Sequence, residues 1–84
     1  MATLVKFLKE PESPDQGILA YFPQLNWIKE SNLTKVCYAH IGQHSACAVE
    51  YANSLTPSTD LAECLPLINE LKGRGYDLKI LNKF

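Results

Sequence analysis

Apolar residues gather in four short runs and one longer stretch of helical spacing. Residues 3–9 read as a strand, with Val5 and Phe7 facing one way and Leu4 and Leu8 the other, Lys6 interrupting the second set. Residues 10–17 hold two prolines, Asp15 and Gly17, the chemistry of a turn. Residues 18–22 form a second strand that Pro23 is expected to stop, and the pair suggests an antiparallel hairpin. Residues 24–34 carry Leu25, Trp27, Ile28 and Leu33 at irregular spacing and read as a loop whose tryptophan packs on something. Residues 35–41 are a third strand, ended by Gly42.

Ser45 is placed to cap a short helix over 46–53, its hydroxyl accepting from free backbone N–H groups. Val49 and either Tyr51 or Ala52 would turn inward. Thr56-Pro57 breaks that helix, and a second starts at Thr59 or Asp60. Asp60 and Glu63 have capping-box spacing. Leu61, Cys64, Leu65, Ile68 and Leu71 make its apolar stripe. Pro66 removes the bond to residue 62, which predicts a kink or two shorter pieces. Gly73 is the expected cap, and 76–81 a last strand. The order βββααβ predicts an α+β fold: a mainly antiparallel four-stranded sheet, one long kinked helix and one short one, in a single domain over residues 1–84.

The strands predict more apolar surface than one long helix can hide. Val5, Phe7, Ile18, Ala20 and Phe22 would share one face, with Leu4, Leu8, Leu19 and Tyr21 on the other. An antiparallel sheet with one wet side normally alternates more cleanly. The second side therefore needs a cover: the loop with Trp27, the 46–53 helix, or another protein chain, including a second copy of this one.

Composition narrows the function classes. The formal net charge is −1 and the basic residues are scattered, which argues against nucleic acid. Lys72, Arg74, Lys79 and Lys83 come nearest to a basic patch, but Asp77 lies among them. No apolar run approaches a membrane span, the first residues lack the order of a signal peptide, and three cysteines do not make a disulfide scaffold. A cytoplasmic protein with free thiols is the expectation.

Candidate chemistry concentrates in 37–47, which hold both histidines and two cysteines. Cys37, His40, His44 and Cys47 are zinc ligands by type, yet in a continuous strand Cys37 and His40 would point to opposite faces. Cys47 near a helix start, with His44 as base, is a candidate nucleophile pair. The alternative is structural: cysteines as small buried hydrophobes, and Gln43, His44 and Ser45 satisfying backbone groups at a tight corner. No cofactor is implied. Gln43, His44, Ser45, Cys47 and Tyr51 are the candidate binding residues.

Gly42-Gln-His-Ser-Ala-Cys47, followed by Tyr51, Thr56-Pro57, Leu71, Gly75-Tyr76 and Leu78, resembles a group of small uncharacterised proteins of bacteria and their phages. The resemblance covers roughly residues 17–82, and the Gly-Gln-His-Ser-Ala-Cys core is its specific part. It implies a shared fold and a shared corner around His44, and carries no activity, ligand or catalytic role. The tail Asn82-Lys-Phe84 lies outside it. The expected function is that of a binding or accessory protein acting by protein–protein contact. A small thiol- or metal-dependent enzyme centred on His44 and Cys47 is the alternative.

Overall fold

A computed structural model describes residues 2–9, 17–39 and 43–84, without the side chains of Ala39 and Gln43. The chain builds β1 (Thr3–Lys9), β2 (Ile18–Asn26), β3 (Thr34–Ala39), β4 (Gln43–Ala48), α1 (Val49–Ser54), β5 (Thr56–Pro57), α2 (Leu61–Gly73) and β6 (Leu78–Ile80). The class is α+β, but the sheet has six strands rather than four. Its order is β4-β3-β2-β1-β5, and β6 also pairs with β1. That last pairing is parallel; the others are antiparallel.

The central strand is β1. One edge pairs with β2. The other is shared: Thr3, Leu4 and Val5 pair with β6, and Leu8 and Lys9 with β5. Phe7 lies at the handover. There the Asn82 side chain takes the place of a strand. Its Oδ1 accepts from the Phe7 N–H at 2.7 Å, and its Nδ2 donates to the carbonyls of Phe7 (2.8 Å) and Ser58 (2.7 Å).

Pro23 does not stop β2. The register slips, so that Phe22 faces Val36 while Asn26 faces the next residue, Lys35. Proline is tolerated in such an irregularity because it has no N–H to lose. The connection to β3 is therefore only 27–33, and Trp27 there is 48% exposed instead of packed.

The larger correction concerns 43–48. Ser45 caps no helix. The segment is extended and pairs with β3 along its whole length, which supplies its backbone with partners and turns Cys47 into the core. α1 begins four residues later than Ser45 and has no side-chain cap.

Asp60 does cap α2, its Oδ1 accepting from the Ala62 N–H at 2.9 Å. The capping box is not closed by Glu63. That carboxylate meets the Ser58 hydroxyl and Lys9, each at 3.2 Å, and the Asp60 N–H donates to Ser58 Oγ instead. Despite Pro66, α2 is one helix and not two pieces. Ala62 and Pro66 are both exposed, so water can serve the carbonyl that proline leaves free. The buried stripe is Cys64, Leu67, Ile68 and Leu71, whereas Leu61 and Leu65 face outward. The cap glycine is Gly75, at φ +98°, and not Gly73. Tyr76 N–H reaches the Leu71 carbonyl and Gly75 N–H that of Lys72, the paired bonds of a Schellman ending.

Two small cores result. On the α2 side, Val5, Phe7, Ala20, Phe22 and Tyr38 pack against Cys64, Leu67, Ile68 and Leu71. Burying each large side chain stabilises by about 1.5–3 kcal/mol. On the rear, Leu8, Leu19, Tyr21, Cys37 and Cys47 form a second cluster with Ala52 of α1, and Leu55 packs beside it. Of the covers considered from the sequence, the short helix contributes Ala52 to this cluster, while Trp27 of the loop stays exposed.

Candidate functional site

The β3–β4 pairing sorts the chemical groups of 37–47. Tyr38 lies opposite His44 and Cys37 opposite Ser45. Cross-strand partners share a face, so His44 stands on the α2 side and both cysteines on the rear. His44 and Cys47 are not brought together, and Cys47 sits in a strand, away from any helix start. No metal-binding group of three or more His, Cys, Asp or Glu occurs among the described residues. His40 and the side chain of Gln43 lie outside them.

On the α2 side, His44 belongs to an aromatic and polar cluster. Its ring meets Tyr38 edge-on at 4.8 Å, and its Nε2 is hydrogen-bonded to the Tyr76 hydroxyl at 2.8 Å. Tyr76 is placed by the Gly75 turn and stacks on Phe22 at 5.3 Å. Arg74 Nε donates to the Tyr38 hydroxyl at 2.8 Å, and its guanidinium lies 5.2 Å from the centre of that ring. Sequence reading missed this cluster. Tyr38, Arg74 and Tyr76 are separated by up to 38 positions, and no local spacing ties them together.

Burial pushes the Tyr38 phenol up, and the nearby Glu70 carboxylate adds to that, against the opposing pull of Arg74. Tyr21 is also raised, by burial and then by Cys47. Both folded-state values lie above those of the unfolded chain. Their contribution to stability is therefore complete below a pH of about 10 and is lost as pH rises through the folded values. Ultraviolet phenolate titration should show Tyr21 and Tyr38 ionising late, together with falling stability above that pH. Tyr38→Phe should remove one late step, and an unchanged late phase in that variant would contradict this.

The rear face holds a different arrangement. A cavity of about 310 Å³ is lined by Leu19, Cys37, Ser45, Cys47 and Tyr51, among others. Three of the candidate binding residues, Ser45, Cys47 and Tyr51, thus gather there without His44. The Cys37 thiol donates to the Ser45 carbonyl at 3.3 Å and lies 3.1 Å from its hydroxyl; the Cys47 thiol points to the Ala48 carbonyl at 3.7 Å. Cys37 and Cys47 are 3% and 4% exposed, which suits packing more than nucleophilic attack. Burial pushes the Cys64 thiol up, in the other core.

The outer edge of β4 completes the site. Among the described residues β4 pairs with β3 alone and ends the sheet. Among the described residues no backbone hydrogen bond reaches its other edge. Its six residues, Gln-His-Ser-Ala-Cys-Ala, contain no charge and no proline. The opposite edge is blunted: β5 has two residues including Pro57, and β6 has three including Lys79. Short, charged or proline-bearing strands are how proteins protect an edge, and β4 has none of these devices. Beside its C-terminal end Leu33 is 78% exposed, linked to the start of α1 by the Val49 N–H to Leu33 carbonyl bond, and Tyr51 is 46% exposed.

No family model, no curated protein and no solved structure matches this chain.

Proposed function

We propose that this domain is a small cytoplasmic protein-binding module that works by strand addition to β4. The observation that carries the reading is the unprotected edge: six uncharged residues with no backbone partner on one side among the described residues, at the end of a sheet whose other end is blunted. An extended partner would gain main-chain hydrogen bonds along β4, while side chains at alternate positions supply selectivity. Exposed Leu33 and Tyr51 add apolar contact next to the edge, of the kind that anchors interfaces. Three free, buried cysteines suit a reducing compartment. No helix of the described residues is long and apolar enough to cross a membrane. The thiol-enzyme alternative has less support, because His44 and Cys47 stand on opposite faces.

The test is selection from a random peptide display library on the wild-type protein. Enriched peptides should protect the 43–48 amides from hydrogen exchange and bind Ala46→Lys about 10-fold more weakly or worse. Ala46 is exposed, so the substitution leaves the core alone. Failure to enrich any peptide, or enriched peptides that protect another segment and bind the variant equally, would refute strand addition.

A further inference from the structure

We infer that the occupant of the β4 edge is a second copy of this chain, joined antiparallel about a two-fold axis perpendicular to the sheet; this rests on the strand-addition reading. The argument is one of self-complementarity. A two-fold contact places the same strand opposite itself, so a charge at the axis would face its own like charge, and like charges elsewhere on β4 would be gathered along one seam. Gln43–Ala48 carries none. A perpendicular axis also keeps the faces in register, with both α2 layers on one side of a continuous sheet. Same-face pairing then requires the axis to pass through a residue and not between two.

With the axis at Ala46, that residue meets Ala46 of the partner subunit. His44 meets Ala48 of the partner subunit, and Ser45 meets Cys47 of the partner subunit. Every pair contains at least one small side chain. His44, Ala46 and Ala48 are exposed in the single chain and line up on the α2 side. A two-fold contact is closed: it uses the unprotected edge of both copies at once and leaves outside only the strands carrying Pro57 and Lys79. A heterologous peptide would meet the same backbone groups, but only the second copy is certain to match β4 in length and in absence of charge.

Sedimentation velocity on the intact chain tests this. The wild type should pass from monomer towards twice the monomer mass between about 1 and 100 micromolar, the range for a small edge-on interface. Ala46→Lys should stay monomeric throughout, and so should Ala46→Glu. An equimolar mixture of the two should regain the dimer, which loss of fold could not produce. Ala48→Lys, also exposed, serves as a second variant if either Ala46 variant fails to fold. A wild type that is monomeric at every concentration, a dimer indifferent to Ala46→Lys, or a mixture that stays monomeric would overturn the inference. If the wild type is monomeric while library peptides still protect 43–48, the second copy is wrong and strand addition stands. If neither is seen, both fall.

Discussion

Asn82→Asp should destabilise the domain by about 2–4 kcal/mol at neutral pH, more than Asn82→Ala does, and should regain part of that loss near or below about pH 4. Asn82 closes a gap in the sheet that backbone alone does not close. Its amide accepts from the Phe7 N–H and donates to two carbonyls, those of Phe7 and Ser58. A carboxylate keeps the acceptor and loses both donors. It then faces two carbonyl oxygens across hydrogen-bonding distance, which is repulsive. Alanine only removes the partner of the Phe7 N–H and of the Ser58 carbonyl, at about 1–3 kcal/mol for each that stays buried, while the Phe7 carbonyl keeps its bond from the Ser58 N–H. Protonating the new carboxyl restores one donor, hence the recovery in acid relative to wild type. Denaturant unfolding of the three proteins at pH 7 and pH 4 measures this. Equal losses in the two variants at pH 7, or no acid recovery, would show that the tail does not hold β1 through this amide.

Ala52→Asp should cost about 3 kcal/mol, the scale set by forcing a charge into a buried site without a partner. Ala52 is 2% exposed and is the residue of α1 packed among Leu8, Leu19, Tyr21, Cys37 and Cys47. α1 has only six residues and no side-chain cap, so it has little stability apart from this contact. The expected outcome is that α1 lifts off and uncovers the rear face. Alkylation of Cys37 and Cys47 should accelerate while Cys64, in the opposite core, stays slow. Asn53→Asp, at an exposed position of the same helix, should change stability by no more than about 0.5 kcal/mol. If Ala52→Asp leaves stability and thiol reactivity unchanged, α1 is not the cover of the second face.

Both predictions turn on contacts that the linear pattern shows poorly. The β1 strand, the β2–β3 core positions, the Asp60 cap and the presence of a helix ending at Gly73 follow from local chemistry: period-two and helical spacing, one side chain reaching two residues along, and glycine near the stop. The same local reasoning misjudged Ser45. Serine before Ala-Cys-Ala-Val looks like a helix start, but β3 offers a full ladder of partners, and pairing outweighs a cap. Pro23 is expected to stop its strand and Pro66 to kink or split its helix, yet Pro23 sits in a register slip and Pro66 on the exposed face of a helix that stays in one piece. In each case the surroundings removed the penalty on which the expectation relied.

The candidate site divides in the same way. That 37–47 holds most of the reactive groups is plain from the sequence. Which of them meet depends on a one-residue parity in the β3–β4 register, and that parity separates His44 from Cys37 and Cys47. Of the residues that meet His44, Tyr38 lies opposite it in the same register, and Tyr76 comes from beyond α2.

By itself the sequence determined the class of fold, a thin sheet with helices, the surplus of apolar strand residues, and the absence of charge along 43–48. Those are properties of short windows, where side-chain alternation and backbone preference act over a few bonds. Tertiary structure alone decided that α1 packs onto the rear cluster, that β4 has β3 as its one strand partner among the described residues, and that Asn82 completes β1 from 75 residues away. Such choices depend on which distant segments can meet once the chain closes on itself, and no local preference encodes that.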